Sequence, residues 1–208
     1  MRESNKGLLL VISGPSGVGK GSVIGILQER RANIRLSVSA TTRSPRPGEV
    51  DGVHYFFIDE PAFRSMIEKN EFLEYMHVFN THYYGTPRSF VMEELEAGND
   101  VVLDIDVQGA MKVKASYPDA VLVFIAPPSM SELKERLIGR GTETSDQVER
   151  RFNTAFEELK QSGKYDYVVV NDVLDIAAGK VEGIIAAEKC RVSRNRALIS
   201  ELSGGSET

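Results

Sequence analysis

The stretch GPSGVGKGS, Gly14 to Ser22, limits what this chain can fold into more than any other. An apolar run, Leu8 to Ser13, leads into it, and a helical pattern through Val23, Ile26 and Leu27 follows. Strand, glycine turn and helix form the frame of a phosphate-binding loop, G-x-x-x-x-G-K-[ST], in which backbone N–H groups and the positive end of the helix face an anion. Glycines at 14, 17, 19 and 21 let the backbone turn, and Lys20 would reach the β- and γ-phosphates as a point charge. Gly14, Pro15, Ser16, Gly17, Val18, Gly19, Lys20, Gly21 and Ser22 are therefore expected to cradle a nucleotide polyphosphate. One departure stands out: Gly21 occupies the place of a magnesium-binding hydroxyl, and Ser22 comes one position late. A glycine turn that merely joined strand to helix would explain neither the spacing nor the lysine.

Such a loop sits on a parallel sheet, and further strands recur at VVLDID (101–106), AVLVFIA (120–126) and YVVVND (167–172). Helical segments such as 129–139 and 173–190 follow them, which predicts an α/β fold with a parallel sheet covered on both faces. Residues 34–85 break the rhythm. They are rich in Ser, Thr and Pro, with strands expected at HYFFI and at 71–79 around a short helix at 60–69, so a small β-rich subdomain is expected there. Thr144 and Gln147 form a capping-box pattern opening a helix whose stripe Val148, Phe152, Ala155, Phe156 and Leu159 predicts a buried face, with Arg150 and Arg151 beside it. This segment is expected to act as a lid, and the tail after Ser193 to fray. The expected division is a core of about 1–33, 86–137 and 164–195, a subdomain of about 34–85 and a lid of about 138–163, in one domain of 208 residues.

A formal charge of −5 argues against a general nucleic-acid binder, so an anionic ligand must be met by local clusters of Lys and Arg. No apolar run approaches the ~20 residues of a membrane helix, no secretory start is visible, and a cytoplasmic location is expected. Cys190 is the single cysteine and is expected to pack in a helix; His54, His77 and His82 lack metal-ligand spacing.

The loop alone does not separate a GTPase, an ATPase and a kinase. Asp104 and Asp106 lie at the carboxyl end of a strand, where parallel sheets hold ligands; a helix N-cap and a solvated neighbour is the alternative reading. Arg43 and Arg46, three apart in a proline-stiffened segment with Tyr55 following, suit a phosphate monoester. Here the sequence closely resembles guanylate kinases, through SATTRSPRPGEVDGVHYFF, EFLEY, YYGTP, LDIDVQG, IAPPS, LKERLIGRGTET and YDYVVVND, which span nearly the whole chain.

The resemblance implies the P-loop nucleoside-monophosphate kinase fold: a parallel five-stranded core sheet with helices on both faces, an inserted GMP-binding subdomain and a helical lid. It implies that Arg43, Arg46, Tyr55 and Tyr84 hold the phosphate of GMP, and that Ser39, Glu74, Thr86 and Asp106 address the guanine. Arg136, Arg140 and Arg151 would join Lys20 at the phosphates in transfer, and Asn171 would lie near the adenine of ATP. For Arg136 an ion pair with Glu132, one turn away, is the competing reading. Mg²⁺ bound with ATP is expected, with Ser22 and Asp104 contacting it through water. Guanine offers N1–H and N2–H donors beside the O6 acceptor, so ionised Glu74 and Asp106 and the Ser39 hydroxyl suit it, whereas adenine would present an acceptor to a carboxylate. ATP and GMP are the implied partners. Two rivals stand beside this reading: a catalytically silent scaffold domain of the same family, which typically lacks the intact loop, and a kinase for AMP or UMP. Asn80-Thr81-His82 adds a residue, relative to most of the family, before Tyr84.

Overall fold

The computed structural model describes residues 6–78, 81–139 and 145–204. Arg140, Thr144 and Asn80 thus lie outside the described residues.

Among the described residues, nine strands form two sheets. In the larger, β2 (Ile34–Leu36), β7 (Asp100–Asp104), β1 (Leu9–Ser13), β8 (Val121–Ala126) and β9 (Tyr167–Val170) lie in that order, all parallel. Side-chain alternation along buried β1 explains why both faces are covered. Leu8, Leu10 and Ile12 pack with α1 (Lys20–Arg30), α5 (Met130–Ile138) and α7 (Leu174–Lys189) on one side. Leu9 and Val11 pack with α3 (Arg88–Glu96) and α4 (Val107–Ser116) on the other.

The smaller sheet runs β4 (Phe56–Phe57), β3 (Ala40–Thr41), β6 (His82–Pro87), β5 (Phe72–Val78), with α2 (Glu60–Glu68) placing Phe63 against Phe72 and Tyr83. Its β5–β6 hairpin is antiparallel and sets Glu74 opposite Thr86. The expected start of the subdomain at residue 34 is corrected. Ile34–Leu36 is the edge strand of the large sheet, paired with Asp100–Val102, and the smaller sheet begins only at Ala40.

α6 (Ser145–Leu159) buries Val148 and Ala155 as its stripe predicts. Phe156 departs from that stripe: it is exposed, with the Lys160 ammonium 4.9 Å from its ring centre. Cys190 departs too. The last turn of α7 ends there, and the thiol is exposed rather than packed. A final short helix, α8 (Arg196–Leu202), follows.

Candidate active site

The carboxyl ends of β1 and β7 meet at the glycine loop. Gly14, Gly17 and Gly19 adopt φ of 144°, 87° and 93°, conformations that side chains other than glycine rarely take. At Gly19, which caps α1, a Cβ would sit 2.6 Å from the amide nitrogen of Asn171; at Gly14 it would lie 2.2 Å from the Ile125 carbonyl oxygen. Gly21, in contrast, is helical and faces open space. Lys20 Nζ donates to the Gly14 carbonyl at 3.0 Å and lies 3.9 Å from Asp104 Oδ1. Partial burial pushes the Asp104 carboxyl above its ordinary pKa, and Lys20 pulls it back. Ser22 lies exposed in the first turn of α1. Ser13 closes the corner by donating to the carbonyls of Ile105 and Asp106 at 2.7 and 3.1 Å.

Asn171 and Arg136 converge on the same loop. Asn171 donates to the Val18 carbonyl at 2.8 Å, and Arg136 donates to the Asn171 carbonyl at 3.1 Å. The Arg136–Glu132 ion pair forms as well, so the competing reading of that arginine and its place beside the loop hold together. Arg151 stands half-buried on α6.

Asp106 is an N-cap: its Oδ1 accepts from Gly109 N at 2.7 Å and starts α4. Asp104, two residues earlier at the end of β7, faces Lys20 instead, so the two acids divide between the alternatives read from sequence. Glu74 is buried and accepts from the Thr86 hydroxyl through Oε1 at 2.8 Å. A Cβ built on Gly109 would lie 3.4 Å from Glu74 Oε2 and 3.5 Å from Asp106 Oδ1, so both carboxylates face one small space. Burial raises the Glu74 pKa, and the nearby Asp106 charge adds to that, while the Thr86 hydroxyl opposes it. Ser39, Thr86, Tyr55 and Asp104 line one cavity of about 190 Å³.

Beside Tyr55 of that lining, Arg43 is buried against two rings, its guanidinium 5.0 Å from the centre of Tyr55 and 5.6 Å from that of Phe57. Tyr84 meets Tyr55 edge to face at 5.9 Å, so the residue added before it has not removed it from this group. Arg46 is exposed and turns its backbone N–H, at 2.7 Å, toward Glu49.

Glu49 is the residue that sequence reasoning missed. Both its oxygens grip Arg43, Oε2 from Nη1 and Oε1 from Nη2, each at 2.6 Å. This fork raises the Arg43 pKa further and holds the Glu49 carboxyl down to about 2. The signal was present: three charges spaced by three, Arg43, Arg46 and Glu49, in a loop stiffened by Pro45 and Pro47. Two groups beside the loop were also not foreseen. The Glu158 carboxyl on α6 is pushed up by burial against the pull of Lys20, and the Tyr165 phenol is pushed up to about 12 by burial.

A sequence model of the guanylate kinase family matches residues 6–188. A guanylate kinase of Caldanaerobacter subterraneus subsp. tengcongensis is 54% identical over 198 residues, covering 95% of this chain and 96% of its own. One of Clostridioides difficile is 52% identical over 196 residues, 94% of this chain and 95% of its own. Among solved structures, guanylate kinase from Anaplasma phagocytophilum superposes with a TM-score of 0.74 at 33% identity, covering 98% of each chain.

Proposed function

This chain belongs to the guanylate kinase family, and from that premise we infer how its own residues divide the work of transferring the γ-phosphate of ATP to GMP, giving ADP and GDP. The observation that carries the acceptor assignment is the meeting of buried Glu74 with Thr86 and Asp106. With Oε1 occupied by Thr86, Glu74 Oε2 is open to an N–H of guanine, and Asp106 accepts a second. Ser39 donates to the base, and Arg43, Arg46, Tyr55 and Tyr84 take its phosphate, which supports a monophosphate as acceptor.

A phosphate oxygen of GMP is ionised at neutral pH, so no general base is needed and catalysis reduces to alignment and charge stabilisation. Gly14 to Ser22 hold the donor phosphates, Asn171 and Arg136 line the donor side, and Lys20, Arg140 and Arg151 offset the charge spread in the transition state. Residues 138–163 act as the lid and about 34–85 as the GMP-binding subdomain, with β2 counted to the core.

Among the described residues no cluster of three or more acidic, His or Cys side chains could hold a metal ion by itself. The donor set fits a Mg²⁺ that ATP oxygens and waters hold, with Asp104 and Ser22 reaching it through water. When bound, the ion neutralises phosphate charge. Among the described residues no helix is long and apolar enough to cross a membrane. We place the enzyme in the cytoplasm, supplying GDP to purine nucleotide metabolism, with no nucleic-acid partner.

Coupled ADP release with ATP and GMP, AMP or UMP in turn tests this reading. Turnover with GMP alone is expected. Comparable turnover with AMP would sink the guanine assignment, and no turnover with any acceptor would favour the scaffold reading.

A further inference from the structure

One buried hydroxyl in the acceptor cavity lacks a partner among the described residues. Ser37 follows β2, and its backbone N–H is committed to the Val102 carbonyl at 2.9 Å, which fixes the main chain. Its Oγ is buried, and no described group hydrogen-bonds it. Neighbouring hydroxyls are satisfied: Ser13 donates to two carbonyls and Thr86 to Glu74. Leaving a buried hydroxyl unpaired is unfavourable, so whatever fills the space beside it must supply the partner.

The cavity of about 190 Å³ points to that occupant, because Ser37 lines it together with Thr86 and Tyr55. Thr86 belongs with Glu74, the base-recognising acid, and Tyr55 carries the Arg43 guanidinium at the phosphate end. A nucleoside monophosphate laid from base to phosphate places its sugar between them. Leu36 and Leu103 in the lining offer a sugar hydroxyl no side-chain partner; Ser39, His54 and Asp104 are the other polar side chains there, and of the lining hydroxyls Ser37 Oγ is the one buried without a partner among the described residues.

We propose that Ser37 hydrogen-bonds a ribose hydroxyl of the acceptor, so that it reads the sugar as Glu74 and Asp106 read the base. The inference rests on the GMP reading above. Serine and a ribose hydroxyl each donate and accept, so the pair satisfies both groups as the nucleotide displaces water from the cavity. An acceptor carrying hydrogen in place of that hydroxyl leaves Ser37 Oγ buried and unpaired. A site built around a hydrogen bond discriminates against the analogue that lacks it.

The test measures kcat/KM for GMP, 2′-deoxyGMP and 3′-deoxyGMP at saturating ATP, in the natural enzyme and in Ser37→Ala. The natural enzyme is expected to prefer GMP over one of the two analogues, which identifies the hydroxyl contacted. Ser37→Ala is expected to lower kcat/KM for GMP by roughly 3- to 10-fold and to leave that analogue unchanged, erasing the preference. The KM for ATP stays constant. Because the readout is a ratio within one preparation, the fraction of folded protein does not enter. Equal losses for all three acceptors, no loss for GMP, or a natural enzyme indifferent to both analogues would overturn the proposal. Absence of GMP turnover in the natural enzyme would instead refute the acceptor reading beneath it.

Discussion

In the proposed acceptor site, Glu49 holds the phosphate-binding arginine from one side. It occupies Nη1 and Nη2 of Arg43, and Ser44 O takes a further Nη1 hydrogen at 2.9 Å. Tyr84 also meets the guanidinium, and the hydrogens not taken by Glu49 or Ser44 are suited to a phosphate oxygen. Glu49→Gln keeps one acceptor but sets an amide N–H₂ against an arginine N–H. The KM for GMP is expected to rise roughly 10-fold, with kcat within about twofold, in steady-state assays. A kcat that falls in step with kcat/KM would place Glu49 in the transition state instead. pH separates this residue from Glu74. A carboxyl held down to about 2 contributes its bond throughout the working range and loses it only as pH falls through that value. Glu74 is raised by burial, so it takes up a proton at a pH where an ordinary glutamate is still ionised. Once protonated it offers guanine a poorer acceptor. The KM for GMP is expected to climb as pH drops from neutral, and the KM for ATP to climb less. Stability carries the opposite sign, since a raised carboxyl favours the folded state as pH falls through its folded pKa. A thermal midpoint that fell in parallel with GMP affinity would count against Glu74 as the cause.

The junction of β1, the glycine loop and α1 gives one element two kinds of glycine. Gly19→Ala forces a side chain into φ 93° and against Asn171, so a loss of about 1–3 kcal/mol and a large rise in the KM for ATP are expected. Gly21→Ala meets nothing within 4 Å and gains helix propensity, so stability should rise by about 0.5–1 kcal/mol with activity retained. Denaturant unfolding and ATP titration of the two variants measure both. Strong inactivation by Gly21→Ala would mean that phosphate or metal approaches there more closely than the open space suggests. The elements that hold this junction were legible because buried parallel strands read as unbroken apolar runs, and β1, β8 and β9 stand where those runs lie. β2 was not. It is a three-residue edge with only Ile34 buried, and Arg35 and Leu36 face out, so its pairing with β7 leaves no apolar run to read. Phe156 fits the stripe of α6 in period yet is exposed, although Ala155 and Leu159 on either side of it are packed. Cys190 falls at the last turn of α7, where periodicity no longer predicts burial. The proposed acceptor residues were named one at a time from the resemblance. The Glu49 fork and the unpartnered Ser37 hydroxyl depend on folded geometry, and no periodic pattern encodes them.

At the scale of the molecule, the two ends of the acceptor subdomain are held differently. Its base end is fastened to the core: Leu73 packs beside Leu9, Val11 and Val91, Ser116 donates to the Leu73 carbonyl at 2.8 Å, and Lys112 to the Tyr75 carbonyl at 2.6 Å. Glu74 lies between those tethers, while Arg43, Arg46 and Tyr55 lie in the loop joining β3 and β4, at the far edge of the small sheet. Rotation about the β5–α4 contact would therefore keep the guanine pocket intact and carry the phosphate toward Lys20. The proposed lid carries Arg151 on α6, where Lys134 of α5 stacks 5.5 Å from the ring centre of Phe152. Closing from both sides excludes water from the transferring phosphate and limits hydrolysis of ATP. Each nucleotide alone supplies only one of the two surfaces that must meet. Solution scattering is therefore expected to show the smallest radius of gyration with GMP and a non-hydrolysable ATP analogue together, and smaller changes with either one. Identical radii in all four conditions would mean that catalysis proceeds without closure, and the lid arginines would then have to reach the phosphates by side-chain motion alone. Arg151→Ala gives the kinetic counterpart: kcat should fall by roughly 10³-fold while the KM for GMP changes little, because the arginine meets charge that develops only in the closed transition state.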